Sequence, residues 1–141
     1  MSSLDDLYRR VIMDHYQHPR NRGELSGDEV ITVRLNNPTC GDRLQLQLHF
    51  DGDRIDQVAF TGEGCSISLS SASMLTEAVK GMDRDAALAL AEKFSRMMRG
   101  EEVEFAQEHE EIEALQGVSK FPARIKCATL AWKAMEKGLA R

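Results

Sequence analysis

Apolar positions along the chain run first at helical spacing, then alternate, then return to helical spacing. Leu4, Leu7, Tyr8, Val11, Ile12, His15 and Tyr16 form one stripe. It predicts an amphipathic helix over 3–18, with Ser3 as its cap and Pro19 as its stop. A polar turn region follows over 19–28. The period then drops to two. Ile31, Val33 and Leu35 predict a first strand, Leu44, Leu46, Leu48 and Phe50 a second, and 55–61 a third with Val58 and Phe60 on one face. Asp51-Gly52-Asp53 is a hairpin turn. Three consecutive strands with short links predict an antiparallel meander.

Beyond Gly62-Glu63-Gly64-Cys65 the spacing is helical again. A helix opens at Ser66 and ends near Gly81, with five serines close to its start. Serine is a weak helix former, so this run predicts close packing against another element. Residues 83–99 predict a further helix that buries Ala87, Leu90, Ala91, Phe94, Met97 and Met98. Pro122 suits the first turn of a last helix, in which Cys127, Leu130, Ala131 and Ala134 share a face, joined by Met135 and Leu139. One α+β domain over 1–141 is expected, with a three-stranded antiparallel sheet packed against four to five helices.

The composition, 42% hydrophobic and 29% charged, is that of an ordinary globular chain. A net charge of -5 argues against nucleic acid as the main partner, because phosphate binding needs a basic face. No run has the length of a membrane span, and the first residues lack a secretory pattern, so a cytoplasmic address is expected. Residues 101–113 hold seven glutamates and His109. They read as solvated surface, or else as a docking face for a basic partner.

Candidate chemistry centres on the three cysteines of the chain, Cys40, Cys65 and Cys127, and on Asp42. Cys40 and Asp42 lie in a tight loop between two strands. Cys65 falls at or just before a helix start, where unpaired N–H groups and the helix dipole favour a thiolate. The plainer reading of Cys65 alone is a small residue at a tight turn. Cys127 lies on the inward side of the last helix, flanked by Arg124 and Lys126. Three thiols and a carboxylate suffice for a closed zinc site, and either cation would offset its negative charge. Thiolates also hold iron–sulfur clusters, so the ligand set leaves the metal open. There is no C-x-x-C pair, phosphate loop, G-x-S-x-G or H-E-x-x-H. His15 and His18, among apolar neighbours, read as packed residues rather than ligands.

Four blocks carry a resemblance: Asp14-His15-Tyr16-Gln17-His18-Pro19-Arg20-Asn21, Asn37-Pro38-Thr39-Cys40-Gly41-Asp42, 60–68 and Arg124-Ile125-Lys126-Cys127-Ala128. Together they resemble the IscU/NifU-N family of iron–sulfur cluster assembly proteins, and most nearly its SufU branch. Lys126 stands where IscU-type scaffolds have histidine. Phe121-Pro122-Ala123-Arg124 replaces their chaperone-binding motif, and the stretch between Cys65 and Cys127 is longer.

The resemblance implies a sheet packed on helices with the metal site at one end, and zinc on Cys40, Asp42, Cys65 and Cys127. It implies sulfur acceptance from a SufS-type cysteine desulfurase, with Suf-type cluster assembly machinery downstream. Cys40, on a loop with Gly41 beside it, is then the expected acceptor, while Cys65 and Cys127, anchored at helix starts, stay as ligands. Arg124 and Lys126 take supporting roles. Two other functions fit the same residues: a scaffold that builds a [2Fe–2S] cluster, and a structural zinc module that only docks to a partner. The departure at Lys126 favours the sulfurtransferase over the scaffold.

Overall fold

The computed structural model describes residues 3–140, with side chains from Asp6 onward. The expected roles of Ser3 and Leu4 therefore lie outside the described side chains. Helix α1 (Ser3–Gln17) precedes strands β1 (Ile31–Asn37), β2 (Asp42–Asp51) and β3 (Arg54–Glu63). Helices α2 (Ser66–Val79), α3 (Arg84–Met98), the single turn α4 (Glu110–Glu113) and α5 (Pro122–Leu139) follow. The strands form one antiparallel sheet in the order β1-β2-β3, the expected meander. No helix among the described residues is long and apolar enough to cross a membrane.

Alternation in β2 turns Leu44, Leu46 and Leu48 into the core, and α5 lies across β1 and β2 on that side. Gly138 permits this approach, because a Cβ there would stand 2.9 Å from Leu48 Cδ1. The segment after α1 runs along the outer edge of β3. Phe60 N–H donates to Asn21 O and Gly23 N–H to Phe60 O, which covers an edge that would otherwise be open to pairing.

Helix α2 is the hub, buried along most of its length. Its serines explain their own abundance: they are small enough for close helix contact, and each buried hydroxyl finds a partner. Ser70 donates to Ile12 O on α1 at 2.6 Å, and Ser71 to Ala128 O on α5 at 2.7 Å. The Trp132 indole N–H donates to Ser71 Oγ at 3.0 Å, and its ring stacks on Phe94 of α3 with centroids 4.5 Å apart.

His15 is fully buried, with Nδ1 2.7 Å from Ser73 Oγ and Nε2 3.2 Å from Glu111 Oε1. It is a packed, hydrogen-bonded residue that ties α1 to α2 and to the acidic segment. Tyr16 departs from the expected stripe and is 43% exposed. One residue beyond His15 it stands 100° further round the helix, off the buried face.

Candidate metal centre

The hairpin between β1 and β2 builds the first part of the site. Asn37 and Asp42 face each other in register, so only 38–41 form the turn. Gly41 closes it with φ 73°, and its N–H donates to Asn37 O at 2.9 Å. Cys40 is thereby carried at the tip, half-buried, while Asp42 at the base is fully buried. The register continues across the sheet. Arg43 pairs with Glu63 at the end of β3, so the next residues, Gly64 and Cys65, arrive beside Asp42.

That junction fixes the carboxylate. Cys65 N–H and the Ser68 hydroxyl donate to Asp42 Oδ1 at 2.9 and 3.1 Å. Asn37 Nδ2 donates to Oδ2 at 3.3 Å. Gly64 leaves the necessary space, because any Cβ there would overlap Asp42 Oδ1 and would stand 2.6 Å from Ser68 Oγ. Cys65 is the N-cap of α2, and its sulfur accepts from Ser68 N–H at 3.4 Å. The third segment is α5, which brings in Cys127 at 0% exposure.

Cys127 Sγ lies 3.0 Å from Cys40 Sγ, and both are free thiols. Donor atoms of Cys40, Asp42 and Cys127 all lie within 4.8 Å of one another. Cys65 is outside this set of three, and its sulfur bonds Ser68. Burial, followed by the neighbouring Cys40, Asp42 and Cys65 side chains, pushes the Cys127 thiol far above its ordinary range. With protein groups alone this sulfur keeps its proton. Arg124 is the nearby cation. A bond to Cys127, then the fields of Cys65, Cys127 and Cys40, raise its guanidinium above its ordinary value. That attraction operates once the sulfurs are charged, and burial of Cys127 outweighs it until then. Lys126, exposed like Arg124, joins none of the hydrogen bonds or ion pairs among the described residues.

The donor set fits a zinc ion. Zinc–sulfur bonds of about 2.3 Å in a tetrahedron bring neighbouring donors roughly 3–4 Å apart. The three clustered donors already approach that spacing, and a divalent cation is what a buried, proton-retaining sulfur needs to become a thiolate.

Sequence reasoning overlooked Asn37, Ser68 and Gly64. Asn37 and Gly64 carry no ligating side chain, and Ser68 belongs to the serine run that reads as packing. The available signal was their place within the two blocks, 37–42 and 60–68, that also hold Cys40, Asp42 and Cys65. A second cluster, Asp14, His15 and Glu111, also lies within 4.8 Å, but Asp14 is engaged by Arg20 at 2.7 Å and His15 by Ser73.

Comparison with known proteins gives a consistent picture. The family described as NifU-like N terminal domain matches residues 7–128. The zinc-dependent sulfurtransferase SufU of Bacillus subtilis (strain 168) is 58% identical over 140 residues, covering 99% of this chain and 94% of that protein. The iron–sulfur cluster assembly scaffold protein IscU of Streptococcus pyogenes serotype M1 is 49% identical over the whole chain and 87% of its own length. Among solved structures, a candidate iron–sulfur cluster assembly scaffold protein for the SUF system from Fervidobacterium islandicum AW-1 superposes with a TM-score of 0.84. It is 31% identical and covers 98% of this chain and 99% of its own.

Proposed function

The chain belongs to the family of NifU-like N-terminal domains, and from that membership we propose that it serves iron–sulfur cluster biogenesis as a zinc-dependent sulfur acceptor. Cys40, Asp42, Cys65 and Cys127 would hold the metal, and the donor is a SufS-type cysteine desulfurase acting upstream of Suf-type cluster assembly machinery. Zinc, when bound, keeps the sulfurs deprotonated and adds no redox chemistry of its own.

One observation carries the choice of acceptor: the three thiols differ in access and in restraint. Cys127 is closed to any partner at 0% exposure. Cys65 is partly exposed, but its backbone N–H is committed to Asp42 and its sulfur to the first turn of α2. Cys40 is partly exposed at a glycine-flanked tip, and outside the cluster its sulfur has only a long contact to Ala123 O at 4.0 Å. It can leave without disturbing strand or helix.

The chemistry balances as a simple displacement. The Cys40 thiolate attacks the outer sulfur of the partner's cysteine persulfide. A Cys40 Sγ–S bond forms, the partner's S–S bond breaks, and the partner's cysteine departs as a thiolate. Arg124, whose guanidinium feels the fields of all three cysteines, compensates negative charge during the exchange. Asp42 stays in place under its three hydrogen bonds while Cys40 moves.

The test is mass spectrometry of the protein after incubation with a cysteine desulfurase and cysteine, without reductant. Persulfide on Cys40 is expected. Persulfide on Cys65 or Cys127, with Cys40 unmodified, overturns the assignment. Full desulfurase stimulation by Cys40→Ser points instead to a zinc module that only docks. The cluster scaffold is the reading favoured if the protein purifies brown with iron and sulfide.

A further inference from the structure

Asn37 is the last residue of β1, 5% exposed, with its carboxamide turned into the site. Its Nδ2 donates to Asp42 Oδ2 at 3.3 Å and to Cys127 Sγ at 3.7 Å. A carboxamide nitrogen carries two N–H donors, so both bonds form at once. The orientation follows from charge: a flipped amide would set its oxygen against the carboxylate. Cys40 takes no bond from Asn37, although it is only three residues away.

We propose that Asn37 is a positioning residue of the metal site. It ties the Asp42 carboxylate to the Cys127 sulfur, so that the two stay together as the fixed half of the site while Cys40 swings out. The inference rests on the sulfur-acceptor reading above.

Three features support it. First, Asn37 moves with the sheet and not with the hairpin tip, because it is the register partner of Asp42 and its carbonyl closes the turn. Second, Asp42 Oδ1 is already taken by Cys65 N–H and Ser68, both on the α2 side. The amide on Oδ2 extends the same carboxylate to α5, so sheet, α2 and α5 meet through one side chain. Third, the donor is neutral. It stabilises negative charge on two neighbouring ligands without bringing a second cation into a buried position. A side chain that orients a ligand in this way typically contributes about 10–100-fold to metal affinity.

Zinc affinity would be measured by competition with a chromophoric chelator for the full chain and for Asn37→Ala and Asn37→Leu. Each would be examined with Cys40 present and in a Cys40→Ser background. The Leu variant fills the site and lacks both donors. Thermal unfolding of the chelator-stripped proteins and the visible spectra of their cobalt(II) forms accompany it. Both variants should bind zinc about 10–100-fold more weakly than the parent, with altered cobalt spectra and stripped proteins that melt with the parent. The loss should be larger in the Cys40→Ser background, where the remaining half carries the ion.

Several results overturn the proposal. They are equal affinity, weakening in the Ala variant alone (a cavity effect), or a loss no larger without Cys40. A stripped Asn37→Leu protein that melts far below the parent makes the residue merely structural, and also overturns it. A parent chain that binds no zinc defeats the sulfur-acceptor reading itself and this inference with it.

Discussion

The Sγ atoms of Cys40 and Cys127 stand 3.0 Å apart although 87 residues separate them in the chain. One sits at a hairpin tip and the other is buried on α5. A ligand shared between them therefore closes a long loop and joins sheet to helix, and that relationship governs how the protein should respond to metal and to substitution.

Zinc should stabilise the fold by mass action. The protein is expected to purify colourless with about one zinc per chain. At free zinc 100-fold above Kd the gain is about 2.7 kcal/mol, on the order of 10 °C in Tm for a domain of this size. Differential scanning calorimetry before and after chelation checks it, with metal content measured on the same samples. An unchanged Tm after confirmed removal would show that the ion does not cross-link the fold.

Cys127 and Cys40 should separate in the stripped protein. Cys127→Ala empties a position of 0% exposure and should cost roughly 1–2 kcal/mol. Cys40→Ser alters a half-exposed turn residue and should cost under about 0.5 kcal/mol. Urea unfolding of both variants without zinc gives the comparison, and equal midpoints would contradict it.

Gly64→Ala should damage the site through Asp42. The new Cβ overlaps Asp42 Oδ1 and crowds Ser68 Oγ, so the carboxylate must turn away from its donors. Zinc affinity should fall at least about tenfold, with a stability loss of about 1–3 kcal/mol. Chelator competition and calorimetry report the two effects separately.

His49 offers a pH test remote from the metal. Its ring lies 2.6 Å from Asp56 Oδ1, and that bond, ahead of the coulombic pull of Asp56, Glu29 and Asp51, raises its pKa above the ordinary 6.5. A base whose folded pKa is raised stabilises the fold fully below its unfolded pKa, and that contribution is lost as pH rises through the folded value. The Tm difference between the parent and His49→Gln should therefore be largest near pH ~5.5 and should shrink toward alkaline pH. A difference that grows with pH would contradict the assignment. Both groups are partly exposed, so salt should reduce the effect.

The periodicities of the sequence alone determined the order of the three strands and of helices α1, α2, α3 and α5, while the turn α4, inside the glutamate-rich stretch, carried no such signal. Alternating Leu44, Leu46 and Leu48 could only be a strand with one buried face, and Asp83 with the apolar stripe behind it could only open a helix. The pattern of residue types likewise singled out Cys40, Asp42, Cys65 and Cys127. Both are local properties, set by backbone geometry within a few residues and by side-chain chemistry. Tertiary structure decided what these groups touch. The hairpin register set Asn37 opposite Asp42, the β2–β3 register brought Cys65 N–H to the same carboxylate, and the packing of α5 brought Cys127 to Cys40. A shift of one residue in either register would turn those side chains to the opposite face of the sheet. No stretch of sequence near Asn37 contains Cys127, because their contact exists only once strands and helices from both ends of the chain have docked.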